Sequence, residues 1–102
     1  MMKRDDFLFV LGYQGDTAII DGHARKLFSR LSTSELIEKG LFKAAFCSAL
    51  YSGDDSEKNL VLEAFNKNFS AHADTQFHTF EDISRVVGVF DVPPESVKTI
   101  IL

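Results

Sequence analysis

Residues 32–54, STSELIEKGLFKAAFCSALYSGD, form the longest uninterrupted helix-favouring run in the chain and lie near its middle. Ser32 followed by Glu35 is a capping box: the hydroxyl can accept from the Glu35 amide while the carboxylate returns to the Ser32 amide. Gly40 should break or bend that helix, and Phe42, Ala45, Phe46, Ala49 and Leu50 then share one face until Gly53 ends it. Whatever else forms must pack on this alanine-rich, apolar hairpin, and nothing in it describes a reaction.

The same local chemistry reads outward in both directions. Asp54 with Glu57 opens a helix carrying Leu60, Val61, Ala64, Phe65 and Phe69, and Thr79 with Asp82 opens another carrying Phe80, Ile83, Val86, Val87 and Phe90. Between them, residues 70–77 have no period and read as a loop. Pro93 and Pro94 suit a first helical turn, so the sequence predicts a short last helix over 95–101, with Val97, Ile100 and Ile101 docked on the core. Upstream, Ile20, Ala24, Leu27, Phe28 and Leu31 form one stripe of a helix capped by Asp16. Gly22 inside that stripe either weakens the helix or marks the close approach of another backbone.

Residues 7–20 support two readings. Asp5 or Asp6 could cap a helix from Phe7 to Gln14 that Gly15 closes. Alternatively, the β-favouring run Phe7–Leu11, the turn Gln14-Gly15-Asp16 and Thr17–Ile20 form a hairpin. A weak internal repeat favours the helix: Leu8–Asp16 laid over Phe46–Asp54 matches Tyr13 with Tyr51, Gly15 with Gly53 and Asp16 with Asp54, at an offset of 38 residues. The expected fold is an all-α single domain over 1–102, of five or six short antiparallel helices, with solenoid-like hairpins over 8–32 and 46–70 and a terminal helix pair over 79–102. The alternative is α+β with an N-terminal β-hairpin over 7–20. Leu11, Gly12, Ala24 and Phe28 resemble part of the tetratricopeptide pattern in type and spacing, over about a fifth of the chain. Gly15 stands where that pattern has an aromatic residue and its closing proline is absent, so the resemblance stops at those positions.

Composition narrows the function more than any motif does. A chain of 102 residues, 45% hydrophobic with ten phenylalanines, can build a core without disulfides or a structural metal. Its net charge of −4, with Lys and Arg scattered, disfavours nucleic acid and anionic membrane as partners. No segment is apolar for long enough to span a bilayer, and Asp5 and Asp6 interrupt any signal-peptide layout, so a soluble, cytoplasmic protein is expected. Cys47, the single cysteine, could meet His23, His72 or His78 in a nucleophilic pair, but reads better as a small hydrophobe beside Phe42 and Phe46. His72, Asp74 and His78 could offer metal ligands, yet their spacing matches no standard site and a solvated loop accounts for them. No catalytic residue, metal or cofactor is assigned.

Residues 79–101 resemble a helix-turn-helix in Ser84, Gly88 and the Ser96-Val97 pair, which would make Lys98 and Thr99 the nucleic-acid contacts, although the turn is about three residues too long. The expected function is therefore a non-catalytic protein-interaction or scaffold module, taking a protein partner or a second copy of itself as a homodimer. Tyr13 and Tyr51 are its expected contact residues, because a tyrosine near a helix end presents an apolar ring and a polar tip. A helix-turn-helix-like regulator acting through 79–101 is the alternative.

Overall fold

The computed structural model describes residues 2–69, 76–94 and 96–102, and overturns the all-α expectation. Among those residues the chain is α+β, with six helices and a three-stranded mixed sheet. The elements run α1 (Arg4–Phe7), β1 (Val10–Gln14), β2 (Thr17–Ile20), α2 (Gly22–Phe28), α3 (Thr33–Glu38), α4 (Phe42–Ser52), α5 (Asp55–Phe69), α6 (Phe80–Val87) and β3 (Lys98–Ile101).

The first correction concerns residues 7–20. Only a single helical turn forms, α1, and Phe9 leads into a hairpin whose strands pair antiparallel, Tyr13 with Ala18 and Gln14 with Thr17. Gly15, at φ +64°, is the one positive-φ residue of the two-residue turn, which matches a type II′ connection and the right-handed twist of the strands. The repeat misleads because one backbone state serves two purposes. Gly53, at φ +70°, ends α4 as a left-handed cap, and its counterpart Gly15 turns a hairpin instead. Stretches 8–14 and 46–52 therefore share residues but not structure. The cap moves as well: Asp21, not Asp16, opens α2 by accepting from the Ala24 amide at 3.1 Å.

The second correction concerns the carboxyl end. Residues 98–101 are a strand, not a helix, and lie parallel to β2 with Lys98 beside Thr17 and Ile100 beside Ile19. The β-branched run Thr99-Ile100-Ile101 favours the pleated surface. Consequently, among the described residues of 79–101 no second helix of a helix-turn-helix follows α6, and Lys98 and Thr99 are sheet residues. Val97 packs against the core, whereas Ile100 and Ile101 are half-exposed. Gly22 explains how β3 is seated: a Cβ there would lie 2.2 Å from the Leu102 carbonyl oxygen and 2.8 Å from Ile101 Cγ2.

The helical half follows its caps. Ser32 and Glu35 close a full capping box on α3, and Thr79 and Asp82 close another on α6. The capping bonds from serine and threonine hold the Glu35 and Asp82 carboxyls below their ordinary range. Asp54 accepts from the Ser56 and Glu57 amides at the start of α5. Because residues 44–49 are buried on every side, α4 runs through the middle of the molecule rather than along one face of it. Phe46 stacks on Phe80 of α6 at 4.5 Å, and Phe42 meets Phe65 and Phe69 of α5 edge-on.

A polar chain threads four of the helices. Arg4 donates to the Ser29 and Leu31 carbonyls (2.9 and 2.8 Å) and to Ser48 Oγ at 3.0 Å. Ser48 Oγ lies 2.8 Å from Thr33 Oγ1, which donates to the Glu57 carboxylate. A guanidinium only donates and a carboxylate only accepts, so Ser48 must donate to Thr33. The chain thus runs one way from cation to anion, and it leaves the buried hydroxyls of α3 and α4 satisfied. Beside it, the Arg25–Asp6 pair at 2.8 Å fastens α2 to α1.

Candidate functional site

A bulge in β1 borders the candidate site. Its register slips between Val10 and Gly12, and the extra residue, Leu11, is turned outward to 59% exposure. At the other side, Gly88 (φ +76°) ends α6 earlier than the phenylalanine stripe suggests. Phe90 therefore leaves the helix and stands 62% exposed opposite β1. Between β1 and residues 88–91 lies a groove of about 210 Å³ floored by Phe7 and Cys47, with Leu11, Tyr13 and Phe90 on its rim.

A second groove, about 420 Å³, opens on the other flank of β1 and is lined by Leu8, Phe9, Ala24, Phe28, Leu41 and Phe42. The two meet at Val10, Leu11 and Lys43. Lys43 Nζ donates to the Val10 carbonyl at 3.4 Å, across the free edge of β1. Charge is sparse here: Lys43 at the junction, Asp91 on the first groove and Asp21 on the second. Such a surface can bury apolar side chains and offer one cation and a few backbone groups, which suits recognition of a polypeptide. Two further hollows lie at the caps of α3, α5 and α6, where the carboxylates and hydroxyls that line them serve the helix ends.

Of the residues singled out in the sequence, Tyr13 rims the first groove, 52% exposed. Partial burial, with Cys47 nearby, raises its hydroxyl pKa. Tyr51 is not on the groove: it is half-buried, its ring 6.2 Å from that of Phe7, and it reaches the site only through that floor residue. Lys98 and Thr99 lie on β3, away from both grooves. His72 and Asp74 fall outside the described residues, and His23 is exposed on α2.

Cys47 lies inside α4, 1% exposed, with its thiol pushed up to about 12 by burial against the opposing pull of Lys43. At neutral pH it is a packed thiol rather than a nucleophile. Ellman's reagent should label it at least about a hundredfold more slowly in the native chain than in denaturant; equal rates would contradict this placement.

Leu11, Lys43 and Phe90 were not singled out as site residues by the sequence. Gly88 carried the signal for Phe90, since a glycine after the last periodic residue ends a helix. For Leu11 the sequence holds no comparable mark. No helix among the described residues is long and apolar enough to cross a membrane. No protein-family model, curated protein or solved structure matches the chain.

Proposed function

We propose that this chain is a protein-interaction module whose paired grooves receive an extended, apolar-rich segment of a partner protein. The observation that carries the reading is the exposed strand edge of β1 with an apolar hollow on each flank. An extended segment points successive side chains to opposite faces, so one laid along β1 would place alternate side chains in the two hollows. Leu11, Tyr13 and Phe90 are the anchoring contacts, and Lys43 exchanges its bond to Val10 for the backbone of the incoming segment. A cytoplasmic location is compatible with this reading, since the single cysteine is buried and forms no internal disulfide.

Selection of a displayed library of random dodecapeptides on the purified protein tests this. Enriched sequences should alternate apolar and polar residues and lose at least about tenfold in affinity against Leu11→Glu or Phe90→Glu. Both side chains are exposed, so neither change should unfold the chain. Failure to enrich any sequence on the native protein over the double variant would refute the proposal.

A further inference from the structure

The sheet has a second edge, which the grooves do not involve. β3 is its outer strand, all four of its residues are exposed, and no bulge interrupts its pairing with β2. The amides of Lys98 and Leu102 donate inward, to the Asp16 and Ile20 carbonyls at 2.9 and 3.0 Å. Because alternate residues of a strand turn their backbone groups to opposite sides, Ile100 also faces β2, and Thr99 and Ile101 direct both N–H and C=O outward. Among the described residues nothing extends the sheet beyond them. Apolar edges are normally blunted by short length, charge, proline or a bulge. β3 is four residues long with Lys98 at its first position, has neither proline nor a bulge, and the closeness of Leu102 to Gly22 fixes the far end of the strand in place.

We infer that a second copy of this chain pairs with β3 antiparallel about a two-fold axis at Ile100, joining two three-stranded sheets into one of six strands. The register is self-complementary. Thr99 falls opposite Ile101 of the second copy and Ile101 opposite its Thr99, so each such pair exchanges both of its outward N–H···O=C bonds. Lys98 falls opposite Leu102 of the second copy, which keeps the two Lys98 ammonium groups at opposite ends of the seam. On the solvent face Ile19 already pairs with Ile100. The axis sets Ile100 beside its own equivalent, completing a row of four isoleucines across the joined strands. A parallel arrangement of two copies has no such closure.

Sedimentation equilibrium on the intact chain, from about 1 µM to about 1 mM, should show mass rising toward twice the 11.4 kDa of one chain. Ile100→Lys and Ile100→Glu each place like charges opposite one another at the axis, and each should weaken association at least about tenfold. Mixing the two should restore it, because opposite charges then meet; a side chain with only a local structural role would show no such rescue. Thermal unfolding of each variant confirms that the half-exposed position has not unfolded the fold. A native chain that stays monomeric overturns the inference. So does a dimer indifferent to the Ile100 changes, or one that Leu11→Glu dissolves instead. The last result would assign self-association to the grooves, so the two surfaces are tested separately.

Discussion

Gly22→Ala is expected to detach β3 and lower the melting temperature by more than about 10 °C, although it adds a single methyl group and improves helix propensity. The new Cβ would sit 2.2 Å from the Leu102 carbonyl oxygen, and a backbone atom cannot rotate away as a side chain can. Either α2 shifts against the Asp21 cap or the end of β3 lifts from Ile20, at a cost of about 3 kcal/mol, the upper part of the range for overpacking. Gly12→Ala is the control. It too lies in the sheet, but a Cβ there meets nothing within 4 Å and its φ is not positive, so stability should change by less than about 0.5 kcal/mol. Amide exchange distinguishes the possible outcomes. In Gly22→Ala the Ile100 and Leu102 amides should lose protection while those of α4 keep theirs, and uniform loss would mean that β3 and the helices unfold as one unit.

The effect of Gly22 shows which kind of information the sequence carried. A glycine in a helical stripe signals that something passes close by, and that much could be read from local chemistry. What passes is the end of a strand about eighty residues away in the chain, and no local rule supplies that pairing. The caps at Ser32, Asp54 and Thr79 were legible for the complementary reason: each depends on residues within one turn of each other. Strand assignment failed wherever the competing signal was also local. Phe7–Leu11 and Val97–Ile101 have β-branched and aromatic runs, but Asp5, Asp6, Pro93 and Pro94 offered plausible helix starts, and only the sheet that the two runs share through β2 decides between them.

The candidate site was partly legible for the same reason. Tyr13 drew notice as an amphipathic residue next to a turn, and it does rim a groove, on a strand rather than at a helix end. Tyr51 does stand near a helix end, in the last turn of α4, but its ring lies beside Phe7 and lines neither groove. Leu11 owes its exposure to a bulge, and a bulge arises from the register of two strands, a property of the pair that neither strand displays alone.

Phe46→Ala is expected to destabilise the chain by about 4 kcal/mol. Phe46 is fully buried within the stretch 44–49 of α4, which is buried on all sides, and its ring stacks on Phe80 at 4.5 Å with only 14° between the planes. Deletion removes apolar burial and leaves a void bounded by α4 and α6, two elements whose caps and backbone hydrogen bonds resist collapse into it. Phe80 in turn loses its stacking partner, so the Lys58 ammonium, 5.5 Å above that ring, is left over a loosened platform. Against a total stability of about 5–15 kcal/mol for a domain of this size, the variant would be marginal at 37 °C. Phe69→Ala, from a ring half-exposed at the end of α5, should cost no more than about 1 kcal/mol. Urea titration separates the two effects. A midpoint shift in Phe46→Ala with unchanged slope means a cavity in an otherwise native core, whereas a reduced slope would mean that α6 has come away and that the stack is what holds it.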